Sequence, residues 1–192
     1  FLKFFGEIGI YIYSIIAIIV ANIQVLKIVD FPLFHNPIAL GTILFSSTFL
    51  CTDILTEYFG GKSARKNILL SFSGFLLFNL LMLMTLGIKP ISNIEVGENY
   101  TWALSIQDNL MSIFLPLPTF FLASMIAYLA SQFFDVWFYE KISNFTETKF
   151  LWLRNNLSTF TSSLIDNTVF SVLAWIIFNP KPLDFNIVFF TY

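Results

Sequence analysis

Cysteine, histidine and charge are all scarce in this chain, and each scarcity excludes a class of function. Cys51 is the sole cysteine, so the chain can form no intrachain disulfide and no thiolate metal cluster. His35 is the sole histidine, which rules out a His-Glu-x-x-His zinc motif, and no Gly-x-Ser-x-Gly nucleophile segment is present. The aspartates that could suggest an aspartyl protease follow Phe134 and Ile165, outside the Tyr-Asp and Gly-x-Gly-Asp contexts of that chemistry. The composition points to no enzyme and no resident cofactor. Net charge is −2 with a pI near 5.3, so there is no basic footprint for nucleic acid.

What remains is apolar. Hydrophobic residues make up 57% of the 192 positions and charged residues 11%, against about 25% charged in ordinary soluble domains. Residues 8–26, 67–88 and 109–134 carry no charge at all, and the middle window spans about 33 Å as a helix. These features define an all-α integral membrane protein with a bilayer as its solvent, folded as a single transmembrane domain over residues 1–192. Charge gaps and turn residues place spans at about 8–26, 38–58, 67–88, 116–139 and 155–178. A sixth begins near Asn186 and is cut short at Tyr192, which gives a bundle of six transmembrane helices with the last truncated. The chain starts at Phe1 without a methionine, so further N-terminal sequence is expected. Residues 103–115 read as an interfacial helix, Pro32 and Pro37 flank His35 in the first connection, and Gly60-Gly61 forms the second.

Lysine and arginine set the orientation. Lys3, Lys62, Arg65, Lys66, Lys141, Lys149 and Arg154 fall on one side, and Lys27, Lys89 and Lys181 on the other. The bias predicts a cytoplasmic N-terminus. Trp102, Trp137, Trp152, Tyr58 and Tyr139 fall near the span ends, where interfacial aromatics belong. Cys51 is expected to face the bundle.

Against this apolar background the carboxylates stand out. Asp166 lies twelve residues after Arg154 and fifteen before Lys181, about 18 and 22 Å along a helix, near the midplane of a hydrocarbon core about 30 Å thick. A charge there costs on the order of 3 kcal/mol or more to insert and marks a polar path or a pairing partner. Polar stripes accompany it. Thr42, Ser46, Asp53 and Glu57 share a face of the second span. Ser124, Tyr128, Ser131, Gln132 and Asp135 share one of the fourth, and Asn155, Thr159, Ser162 and Asp166 one of the fifth. Three striped helices are what a shared cavity requires. The alternative for Glu57 is to reach cytoplasmic water beside Arg65 or Lys66, and for Asp135 to pair with Lys141 at the boundary. Ser and Thr stripes can also serve only as glue between helices.

The segments CTDILTEYFGGKSARK (51–66), LASMIAYLASQFFDVWFYEKI (122–142) and WLRNNLSTFTSSLIDNTVFSVLAW (152–175), with Ala21-Asn22-Ile23 and Lys27 in the first span, resemble the queuosine-precursor transporter family of the vitamin-uptake-transporter group. The resemblance covers nearly the whole chain. It implies six transmembrane helices, residence in the bacterial cytoplasmic (inner) membrane, and import of a 7-deazaguanine base (preQ0, preQ1 or queuine) for tRNA modification. By motif it marks Asp53, Glu57, Gly60 and Arg65, then Ser124, Gln132 and Asp135, then Arg154, Asn155, Ser158 and Asp166. Ser163 and Ser131 depart from the residues common in relatives, Gln and Gly. A carboxylate accepts from the N1–H and exocyclic amine of a deazaguanine together, and Gln or Asn complements its carbonyl edge. The expected substrate-binding residues are Asp166 first, then Asp53 and Asp135, with Gln132, Glu57, Asn22, Ser124 and Asn155.

A second reading makes the chain the substrate-binding component of an energy-coupling-factor vitamin transporter. The small-residue face Ala17-x-x-x-Ala21 would then dock a partner ATPase module. Five or six short helices leave little mass for two moving halves, which favours a homodimer.

Overall fold

In the computed structural model the described residues are 2–30, 38–91, 101–114, 117–147, 149–179, 181–182 and 184–185. They form α1 (Leu2–Gln24), β1 (Ile28–Val29), β2 (Ile38–Ala39), α2 (Gly41–Phe59), α3 (Gly61–Gly87), α4 (Thr101–Phe114), α5 (Leu117–Phe145) and α6 (Leu151–Ser171), which runs into a π-helical turn at Val172–Ile177. Four of the described helical segments are long and apolar enough to cross a membrane: Lys3–Gln24, Gly61–Gly87, Phe121–Phe145 and Leu151–Ile177. The expected start of a sixth span at 186–192 lies outside the described residues, as do His35, Pro32 and Pro37.

The second expected span, α2, is a 19-residue helix that is less apolar than those four. Ser and Thr residues, Asp53 and Glu57 dilute it. Its position explains why that is tolerated: α2 packs against α1, α3, α5 and α6, so Thr48, Thr52 and Asp53 are buried against protein rather than lipid. Among the described residues the one regular element that is not helical is small. Ile28 pairs with Ala39 and Val29 with Ile38 in an antiparallel ladder that ties the α1–α2 connection.

Helix ends differ from the sequence expectation mainly at one end of the bundle. Residues 60–66 and 140–154 read as cytoplasmic connections, yet α3 starts at Gly61 and α6 at Leu151, and α5 continues to Phe145. Gly60, at φ 83°, turns the chain in a single residue. Charged residues there ride on helices because they find partners across the bundle. Arg65 pairs with Glu140, Glu57 with Arg154, and Glu7 accepts from Ser63 and Tyr11. This end therefore gathers the start of α1, the α2–α3 turn, the end of α5 and the start of α6, as the alternating order of spans requires.

The core lies between α1, α2, α3 and α5 and includes Ile10, Ile18, Leu55, Ala64, Ile68, Phe75, Met125 and Val136. Phe45 stacks edge-on against Tyr128 with centroids 6.0 Å apart. Cys51 is buried there, as expected. Trp102, Trp137, Trp152 and Tyr58 are exposed, but Tyr139 is buried, with its hydroxyl turned to Glu57 rather than to an interface. Ala17 and Ala21 are also buried within the chain. A Cβ on Gly41 would stand 2.2 Å from the Ala21 carbonyl oxygen, so the small-residue face is filled by α2 and is not free to dock a partner module. Because that clash is with backbone, Gly41→Ala should destabilise the protein by about 1–3 kcal/mol. A lower melting temperature in detergent would show it, and an unchanged one would contradict the close α1–α2 approach.

Candidate functional site

The α5–α6 pair is the most extensively packed in the bundle, and α2 lies against it. Along α6, positions 154, 158, 162 and 166 recur every four residues and so share a face, stepping about 6 Å each. Each step meets a carboxylate. At the first, the Arg154 guanidinium pairs with Glu57 of α2, whose second oxygen accepts from the Tyr139 hydroxyl of α5 at 2.8 Å. At the next, Asp53 of α2 accepts from Thr159 at 3.2 Å and, more loosely, from Ser158 at 3.5 Å. At the third, Asp135 of α5 accepts from Ser162 at 3.0 Å and from Thr52 of α2 at 3.2 Å. At the fourth, Asp166 itself accepts from Ser131 of α5 at 2.9 Å.

The result is a ladder of acidic groups climbing from one end of the bundle into its middle. Asp53 and Asp135 are 2% and 0% exposed and sit side by side. Among the described residues, no lysine or arginine forms an ion pair with Asp53, Asp135 or Asp166. Among the described residues their other hydrogen bonds come from hydroxyls, and Asp53 and Asp135 also bond each other. Buried carboxyl groups without a cation are costly to ionise, and a site that keeps them suits a ligand rich in N–H donors or carrying positive charge.

Gln132 extends the network. It donates from Nε2 to Thr48 at 2.9 Å, and its Oε1 lies 3.2 Å from the Thr52 hydroxyl, whose one proton it shares with Asp135. Asn22 of α1 and Ser124 of α5 join each other at 2.9 Å instead, with the Asn22 amide donating to the Ile18 carbonyl, so this pair links α1 to α5 outside the ladder. A cavity of about 410 Å³ opens between α2 and α6 beside the ladder. Its lining includes Asp53, Glu57, Tyr139, Trp152, Asn155 and Asn156, and its size falls within the range of small-molecule pockets.

The structure reorders the candidates. Asp166, first in the sequence reading, is half-buried at the far end of the ladder and does not line the cavity; Asp53 does. Glu57 does not reach out beside Arg65 or Lys66, because buried Arg154 holds it. Asp135 is enclosed by hydroxyls, with no ion pair to Lys141. Thr42 and Ser46 are exposed, and Ser46 returns to the Thr42 carbonyl of its own helix. Thr48 and Thr52, one turn apart, provide the inward face of α2 instead. Their spacing and their position between polar neighbours were the only sequence signal for them. No group of three or more potential metal-ligating His, Cys, Asp or Glu residues occurs among the described residues.

Comparison with known proteins adds an independent line. Residues 39–192 match the family described as "Putative vitamin uptake transporter". A Bacillus subtilis (strain 168) protein named "Probable queuosine precursor transporter" is 34% identical over 193 residues, an alignment covering 100% of this chain and 79% of that protein. No solved structure matches the chain.

Proposed function

We propose, from the premise that the chain belongs to the vitamin uptake transporter family, that it imports a queuosine precursor, a 7-deazaguanine base, across a membrane. The observation that carries this reading is the ladder Asp53–Asp135–Asp166, the first two buried and the third half-buried, on three helices without a basic partner among the described residues and approached by the α2–α6 cavity. A carboxylate accepts the N1–H and amino hydrogens of the base edge together, while the Gln132 amide offers the complementary donor and acceptor. Trp152 and Tyr139, both in the cavity lining, supply faces for a planar ring. Asp53 is the first contact from the cavity, with Asp135 and Gln132 behind it and Asp166 further along.

The same reading places the chain in the bacterial inner membrane with its N-terminus in the cytoplasm, so the Arg154–Glu57 end would face inward. A homodimer remains the proposed assembly. Single cysteines at Lys62 and Glu98, in a Cys51→Ala background, should then react with an impermeant thiol reagent from opposite sides. Labelling from one side would overturn the orientation.

Transport itself is tested in a bacterial strain that cannot make the precursor and lacks its own importer. Expressing this chain and feeding preQ0 or preQ1 should restore queuosine in tRNA. If neither base restores it at verified membrane expression, the reading fails.

A further inference from the structure

A second polar cluster lies between α1, α3 and α5, and the transport reading does not use it. Asn67 and Ser71 are one turn apart on α3, facing Ser14 of α1 and Tyr128 of α5, and all four are at most 1% exposed. The Asn67 amide donates from Nδ2 to Ser14 Oγ at 3.1 Å. That oxygen, Asn67 Oδ1, is fully buried and has no hydrogen-bond partner; neither has Ser71 Oγ. The Tyr128 hydroxyl lies beside Ser71, out of hydrogen-bond geometry, and the Cys51 thiol lies beside Ser14.

These orphans are unusual for this protein. The buried hydroxyls of Thr48, Ser131 and Ser162 each donate to a partner, whereas that of Ser71 has none. Buried polar groups almost always find partners, and those that do not call for an explanation. The cluster offers oxygens from three helices, all neutral, and no carboxylate. Hard cations take oxygen ligands, and a set without anionic charge suits a monovalent ion, whose dehydration is less costly than that of a divalent one.

We propose that Ser14, Asn67, Ser71 and Tyr128 form a sodium site whose occupancy is coupled to import at the carboxylate ladder. The coupling half of this inference rests on the transport reading; the ion site stands without it. Import against a gradient needs a downhill process, and α5 connects the two sites directly, with Tyr128 in one and Gln132 in the other. An ion that orders Tyr128 also fixes the turn that presents Gln132, so ion and base would raise each other's affinity.

Two measurements on the full chain test the proposal. The first is thermal unfolding of the purified protein in sodium chloride against choline chloride at equal ionic strength. Sodium should raise the melting temperature by mass action, and Asn67→Leu, which removes the carbonyl oxygen at similar size, should abolish the shift. The second is uptake of labelled deazaguanine as sodium is varied. Replacing sodium with choline should lower wild-type uptake, and Ser71→Ala should raise the half-saturating sodium concentration about tenfold. Ser73→Ala, an exposed position on α3, should change neither. Should Asn67→Leu not fold, Ser71→Ala and the wild-type comparison of sodium with choline still decide. A melting temperature and an uptake rate that both ignore sodium would overturn the site. A sodium shift that depends on Asn67 in a protein that moves no deazaguanine would keep the ion site and discard the transport reading.

Discussion

Asp53→Asn is expected to cut uptake of a labelled 7-deazaguanine base by about tenfold to a hundredfold, the equivalent of losing one hydrogen bond to a charged group, while the protein still folds and reaches the membrane. Asp53 lines the cavity and is the first carboxylate a ligand would meet. An amide there must turn an NH₂ group toward a donor on the base, so it cannot accept two hydrogen bonds from that edge. Folding should survive because the partners adapt. The hydroxyls of Ser158 and Thr159 can accept as well as donate, and an amide beside Asp135 replaces a like-charge neighbour with a donor. Stability held or raised with uptake lost is the signature of a functional carboxylate. Asp166→Asn should act in the same direction but less strongly, since Asp166 lies at the far end of the ladder. Uptake by Asp53→Asn at the wild-type rate and affinity would make that carboxylate structural.

The second large effect belongs to Arg154. Its side chain is 2% exposed and meets Glu57, Tyr139 and the Lys149 carbonyl, joining α2, α5, α6 and the turn between the last two. Arg154→Met leaves Glu57 and the Tyr139 hydroxyl without their cation, and breaking a buried pair this way costs about 3–5 kcal/mol. Glu57 is 26% exposed on its side chain, so water relieves part of that and the lower figure applies. The double variant Arg154→Met with Glu57→Gln removes both charges and should recover much of the loss, because an apolar or neutral replacement of a buried pair is often tolerated. Melting temperatures of the single and double variants in detergent give the comparison. A single variant as stable as wild type would show that the pair is not buried as described.

Much of the architecture was legible because a bilayer imposes a simple rule: long uncharged stretches become helices. Residues 67–88 and 109–134 announce α3 and α5 on that ground alone. Helix ends were less legible. Lys62, Arg65 and Arg154 look like boundary residues, and only the cross-bundle partners Glu140 and Glu57 explain why helices begin before them. The Arg154–Glu57 pair spans 97 residues in sequence, and no local pattern connects them.

The site was legible in its members more than in its order. Asp53, Asp135, Gln132 and Asp166 all stand out as polar groups in apolar spans, and the structure gathers them along α6. The inward face of α2 was misread because Thr42 and Ser46 do share a helical face with Asp53, but both are exposed, and the polar contacts of α6 with α2 described above fall at Asp53 and Glu57. Depth along a helix also says nothing of access to the cavity. Asp166 is central in sequence between charges, while access depends on where α2 and α6 part, which is beside Asp53. Asn67 and Ser71 passed unnoticed, since an Asn and a Ser at the start of an apolar run look like interfacial residues until their neighbours are known.

The most direct test of the central claim is uptake by the purified chain reconstituted alone in liposomes, with labelled preQ0 and preQ1 outside and an imposed sodium gradient. Accumulation of one of these bases without any ATPase, competed by unlabelled deazaguanine and lost in Asp53→Asn, is the predicted result. Liposomes that take up no deazaguanine unless a partner ATPase module is supplied, or uptake indifferent to Asp53, Asp135 and Asp166 together, would contradict it.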